Sequence, residues 1–268
     1  MRKNAWVICC CTAVLAAFGT FFRWLQDQVC FEAETGLAVR GSIWPYAVAL
    51  MIVIAAVVLA VVCFRMKNQP HTSFPDSLPA AFAAAQRVRT IGGIVLGALL
   101  AVGGAWLMIS SGTLSSPGLQ RVLAVLAIVT GAAFARQMLA PGDAEVTSGA
   151  VVCASIPIVL LAFWLIVSYK VNIINPTISA YAVEILALCA ALIAFYQLAG
   201  FAYGRPKAIK SIFWSQFAAF LCITALPDDR AGGQQLMLAA IAGILVFQSY
   251  LTASNIRPAV SGPVGGAQ

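Results

Sequence analysis

The sequence predicts an all-α protein, a polytopic transmembrane helix bundle of eight spans, with seven as the alternative count. Three observations carry that expectation. Hydrophobic residues make up 62% of the 268 positions and charged ones 9%, where a soluble domain carries about 25% charged. The 16 Lys and Arg and 9 Asp and Glu side chains cannot cover the outer shell of a water-soluble chain of this length. Apolar stretches nearly free of charge also recur at about 20 residues, the length that crosses hydrocarbon as helix. A soluble globular enzyme, a disordered chain and a nucleic-acid-binding domain are excluded on these grounds.

The spans are expected at 5–22, 44–64, 91–110, 122–140, 149–168, 178–199, 209–226 and 235–251, forming one domain over 1–252 with a flexible cytoplasmic tail at 253–268. A lone span in lipid must pair its own backbone groups, which forces helix. The barrel alternative needs alternating polarity, and the stretch IVIAAVVLAVV at 52–62 does not alternate. The first span begins after Arg2 and Lys3, exceeds the apolar core of a signal peptide and has no small-x-small cleavage site before a polar mature start, so it reads as an uncleaved anchor. In the third, Gly93, Gly97 and Ala101 form a seam on which another helix can pack closely, with Gly103 and Gly104 beside it. Arg136 lies near the inner end of the fourth and can snorkel to water. Pro157 in the fifth removes a backbone hydrogen bond and is expected to kink the helix, with Ser155 beside it. The seventh and eighth spans are the shortest, which is why seven is the competing count. Pro141-Gly142, Asn175-Pro176, Gly204-Arg205-Pro206 and Pro227-Asp228-Asp229 supply the stops. Spans one to four share no motif with spans five to eight, so no internal repeat is expected.

Orientation follows from Lys and Arg near the span ends. With the N-terminus in the cytoplasm, eleven fall inside, among them Arg2, Lys3, Arg65, Lys67, Arg87, Arg89 and Arg136, and five outside: Arg23, Arg40, Arg121, Lys170 and Arg230. Asp27, Glu32, Glu34, Asp228 and Asp229 cancel the outer five, so the net charge of +7 is topological. Trp24, Trp44, Tyr46, Trp106, Trp164 and Tyr169 all fall at outer span ends, where amphipathic rings favour the headgroup layer; Tyr203 and Tyr250 fall at inner ones.

Two connections have any size. The outer loop, 23–43, carries Glu34-Thr35-Gly36, a turn signal compatible with a short hairpin or a partly embedded cap. The inner loop, 65–90, contains LPAAFAAAQRVR, expected as a short surface helix at 78–89 with Arg87 and Arg89 toward anionic headgroups. The only histidine, His71, reads as an ordinary solvated side chain of that loop. Cys9, Cys10 and Cys11 splay about 100° apart on a helix and cannot close on one ion. Cys63, Cys153, Cys189 and Cys222 are small apolar fillers, and Cys30 stands in the outer loop.

Chemistry concentrates at a few positions. Glu184 is the one acidic residue inside an apolar stretch, about 9 Å from the outer start of its span at 1.5 Å per residue. It reads either as a proton or cation relay or as a buried carboxylate hydrogen-bonded to a neighbouring helix, helped by Tyr181 or Lys170, on a face with Ala180, Ala187 and Ala191. Gln216 lies near the middle of the seventh span, with Ser211, Ser215, Ala218, Ala219 and Cys222 forming a small, partly polar stripe. That stripe reads either as the lining of a pathway or as interhelical hydrogen bonding. Glu184, Gln216, Ser215 and Tyr181 are therefore the candidate solute or ion pathway. HExxH and GxxxxGK[ST] are absent, and one histidine cannot serve a histidine-ligated metal centre or haem. No catalytic residue, cofactor or metal is expected.

The segment RWLQDQVCFEAETGLAVRGS, through Leu25, Gln26, Phe31, Glu32, Thr35, Gly36 and Leu37, resembles the first loop of certain multi-pass membrane proteins of anaerobic gut Firmicutes. The resemblance covers about 20 residues. It implies a bacterial plasma membrane and lends no mechanism. Taken together, the sequence favours a transport component for a small solute or ion in contact with the lipid bilayer, alone, as a homo-oligomer or with an unidentified protein partner. The alternative is a membrane scaffold or signalling subunit that recruits a partner through loop 23–43 or the basic loop 65–90. Neither reading involves nucleic acid.

Overall fold

The computed structural model describes residues 2–30, 42–68, 72–83, 86–114, 116–139, 147–173 and 178–258. They form α1 (Arg2–Val29), α2 (Trp44–Lys67), the two-residue strand β1 (Thr72–Ser73), the single turn α3 (Leu78–Ala81), α4 (Gln86–Ser110), α5 (Pro117–Leu139), α6 (Ser148–Asn172), α7 (Ile178–Ala202), α8 (Ala208–Thr224), α9 (Gly232–Ser254) and β2 (Arg257–Pro258). Seven of the helices are long and apolar enough to cross a membrane. The chain is an integral, multi-pass membrane helix bundle.

Most helices overrun the expected apolar spans by about a turn at one or both ends, because hydropathy marks the hydrocarbon slab while backbone pairing continues into the headgroup layer. The largest departure is α1, which continues through Arg23, Trp24, Leu25, Gln26 and Asp27, residues expected in the outer loop. The Thr35-Gly36-Leu37 element and His71 lie outside the described residues. So does much of the loop on which the scaffold reading rests.

Six helices close into a ring. Each of α4 to α9 packs on its successor, and α9 returns to pack on α4. The hairpin of α1 and α2 docks outside this ring on α8, with α1 also reaching α9. The hydrocarbon-length window of α9 is 67% buried against 28% for α1 and α2, so the late helices form the interior and the first two face lipid. Leu50, Val53, Val57, Val61 and Phe64 accordingly project from one side of α2. In water such a surface would drive aggregation; in lipid it is the normal exterior.

The α4–α5 contact is the tightest in the ring, and glycine makes it so. The Gly97 and Gly131 backbones meet directly, so a Cβ on Gly97 would lie 2.5 Å from the Gly131 carbonyl oxygen. Gly104 meets the Ala124 carbonyl in the same way, at 2.7 Å. The expected small-residue seam of α4 is thus real, and α5 is its partner.

Two clusters define the ends of the bundle. At one, Ala5 and Ile8 of α1, Cys63 and Met66 of α2, Ile212 of α8 and Ala253 of α9 pack together with Ile256. At that same end β1 pairs antiparallel with β2, Thr72 opposite Pro258 and Ser73 opposite Arg257. Asn255 donates from Nδ2 to the Ala81 carbonyl at 2.9 Å. The segment 253–258, expected as the start of a flexible tail, is therefore fastened beside the α2–α4 connection. At the opposite end, Arg23 near the close of α1 meets Asp228 in the α8–α9 turn. With 17 residues, and so about 26 Å long, α8 runs from the first end to the second.

Two further expectations are corrected. No surface helix extends over 78–89: α3 is four residues long, opened by Ser77, whose hydroxyl accepts from the Ala80 N–H. Arg87 is exposed as expected, whereas Arg89 is buried and donates from Nε to the Met138 carbonyl at 3.1 Å. A guanidinium there satisfies a carbonyl at the C-terminal end of α5, where helix carbonyls lack intrahelical partners. Trp164 is not in the headgroup belt. It is fully buried in the core, while Trp24, Tyr46, Trp106 and Tyr169 are exposed as the belt requires.

Candidate functional site

Polar chemistry gathers at the end of the bundle away from the β1–β2 pair. Arg23, fully buried, donates from Nε to Asp228 Oδ1 at 2.6 Å and from Nη1 to Gln26 Oε1 at 2.9 Å. Asp27, one turn on, lies 4.0 Å from the same guanidinium. Asp228 accepts a second bond on its other oxygen from Arg230 Nη2 at 2.8 Å, and its backbone carbonyl accepts from Gln235 Nε2 at 3.3 Å. Arg230 Nη2 also stands 3.7 Å from Glu184 Oε2. A continuous charge chain thus runs from α1 through the α8–α9 turn to α7. Buried charges persist only when paired and hydrogen-bonded, and Asp228 is the shared partner that holds this chain together.

The sequence singled out Glu184 but missed its partner. Arg230 pairs with it, across a turn that reads as loop because it opens with Pro227-Asp228-Asp229. A basic residue directly after an acidic pair was the only signal, and topology alone assigned it to the outer face. On α7, Ala187 and Ala191 are buried as the small-residue face requires; Ala180 has no described side chain. Tyr181, three residues before Glu184, is half-buried, and Lys170 is exposed.

Beside Glu184 a cavity of about 170 Å³ opens at the mouth of the six-helix ring. Gln120 of α5, Trp164 and Ser168 of α6, Glu184 of α7, Gln234 of α9 and Arg230 all contribute to its wall. Four ring helices therefore converge on one polar hollow. Gln234 Nε2 donates to Gln120 Oε1 at 3.0 Å across it. Three N–H groups of the wall residues are buried with no hydrogen-bond partner: Trp164 Nε1, Arg230 Nε and Arg230 Nη1. Such groups are rare in native proteins and mark a site that a ligand or water completes.

Gln216 and Ser215 occupy a different place. Gln216 is fully buried where α1, α8 and α9 meet, donating from Nε2 to Ser249 Oγ at 2.6 Å and lying 3.4 Å from Cys9 Sγ. Its Oε1, the hydroxyls of Ser211 and Ser215, and Gln248 Oε1 on α9 are buried without partners. The eight remaining residues of α8 separate Gln216 from Thr224, about 12 Å of rise, so Glu184 and Gln216 are not brought together. Pro157 is buried within α6, which runs unbroken as helix from Ser148 to Asn172. Ser155 beside it donates to the Val151 carbonyl at 3.0 Å and meets Tyr203 Oη, just past the end of α7, at 3.0 Å.

Among the described residues, no three His, Cys, Asp or Glu side chains cluster as a metal site would require. Compared with known proteins, the chain matches no family model, no curated protein and no solved structure.

Proposed function

We propose that this protein is a membrane transport component that admits a small polar solute or ion through the mouth of its six-helix ring. One observation carries the reading: a polar hollow, walled by four helices whose side chains include unpartnered buried donors, lies beside the α8–α9 turn at one end of the bundle. Inside an otherwise apolar bundle, such groups are expensive unless function retains them. The unpaired oxygens of Ser211, Ser215, Gln216 and Gln248 provide further polar groups deeper in the bundle. The reading assigns the protein no enzymatic step. It places the chain in a bacterial plasma membrane, with both termini cytoplasmic and α8 as the eighth crossing, so that the hollow opens outward.

Reconstitution into proteoliposomes, with uptake measured across a panel of small solutes under an imposed proton gradient, tests it. Uptake of one solute class above empty vesicles is the expected result, reduced at least about tenfold by Glu184→Gln. Unchanged uptake in that variant removes Glu184 from the mechanism. Absence of uptake for every solute overturns the transport reading.

A further inference from the structure

The wall of the outer hollow also specifies what it holds. We infer that this site binds a small zwitterion, its carboxylate against Arg230 and Trp164 and its ammonium against Glu184. The inference rests on the transport reading for its physiological meaning, but the binding site stands on geometry of its own.

Four features lead to this ligand. The unpartnered groups of the wall, Trp164 Nε1 and Arg230 Nε and Nη1, are all N–H donors, and donors call for acceptor oxygens. Both side chains are more than nine-tenths buried, Trp164 at 0% exposure and the Arg230 side chain at 6%, so bulk water does not meet that demand. Two acidic residues, Glu184 and the solvent-exposed Asp229, stand in the wall against the one basic residue there, Arg230. A simple anion would add negative charge to a wall that already carries an excess, and a simple cation would leave the three donors unpaired. A zwitterion answers both conditions. The Arg230 contact with Glu184, at 3.7 Å, is longer than a hydrogen bond, which leaves the carboxylate free to receive an ammonium group.

Size narrows the class. A volume of about 170 Å³ is room for roughly half a dozen waters at about 30 Å³ each, well below the hollow a drug-sized molecule needs. It suits a molecule of about six non-hydrogen atoms, the size of L-alanine. In the Gln120–Gln234 bond, Gln234 Nε2 keeps its second N–H and Gln120 Oε1 its second lone pair, which can orient such a ligand without adding charge.

Binding of radiolabelled L-alanine to the detergent-solubilised full chain, by scintillation proximity, tests the inference. Propionate and isopropylammonium, which keep one charge each, serve as competitors. Saturable binding is expected, with each competitor at least about tenfold weaker than unlabelled L-alanine. Trp164→Phe keeps the buried ring and removes only the donor, so it should weaken binding about tenfold at an unchanged melting temperature. Arg230→Lys keeps the charge and loses the planar donor fork, and should weaken it further. Failure of L-alanine to bind, propionate competing equally, or wild-type affinity in Trp164→Phe overturns the inference. Specific binding without proteoliposome uptake leaves the site intact and overturns transport; uptake indifferent to Trp164→Phe and Arg230→Lys overturns the site alone.

Discussion

At the residue scale, the decisive group is Asp228. It takes one guanidinium on each carboxylate oxygen, from Arg23 and from Arg230, while its backbone carbonyl accepts from Gln235. Arg23 is fully buried and the Asp228 side chain 7% exposed, so removing one member strands the other. Arg23→Met is expected to lower stability by about 3–5 kcal/mol, the usual penalty for breaking a buried ion pair, read as a drop in melting temperature in detergent. Arg23→Met combined with Asp228→Leu should recover less than the full loss, because Arg230 then loses its 2.8 Å partner. Complete recovery would show that Asp228 serves Arg23 alone. Glu184 illustrates the limits of reading a residue by itself: an acidic side chain within an apolar helix announces a partner, but not which one.

At the scale of elements, α4 and α5 are joined backbone to backbone. Gly97 and Gly131 leave no room for a side chain between them, and in lipid, where apolar burial gives helices no preference for each other, such close packing is a main source of association. Gly131→Leu should therefore separate α4 from α5 and abolish monodisperse elution in detergent. Gly118→Leu, at a position with open space around the would-be Cβ, should leave elution unchanged. Equal tolerance of both substitutions would refute the account of this seam. The same reasoning explains α8. It is the shortest of the bundle helices, and Ser211, Ser215 and Gln216 are buried along it. Its place is stabilised by neighbours on several sides more than by its own hydropathy.

At the scale of the whole molecule, the ends of the bundle are set by contacts far apart in sequence. The β1–β2 pair brings residues 72–73 to 257–258, and the Arg23–Asp228 bond brings the end of α1 to the α8–α9 turn. If α8 is a crossing, alkaline phosphatase fused after Asp229 should be active, whereas fusions after Gly204 and after Pro258 should be inactive. Equal activity at 204 and 229 would show that α8 does not cross. An active fusion at 258 would reverse the assigned position of the C-terminus.

Composition and hydropathy by themselves determined the solvent, the class and the approximate bounds of every long helix except the end of α1, because hydrocarbon tolerates no unpaired backbone group and so leaves one local solution per apolar stretch. The small residues of α4 likewise declared a packing seam, and Glu184 declared a carboxylate in need of a partner. Tertiary structure alone decided the rest. Nothing local to Arg230 links it to Glu184 or to the unpaired ring of Trp164, a residue whose sequence position suggested the headgroup layer. Which helices are neighbours depends on how side chains from distant segments fill one another's space. The hollow at the ring mouth exists only once α5, α6, α7 and α9 have met.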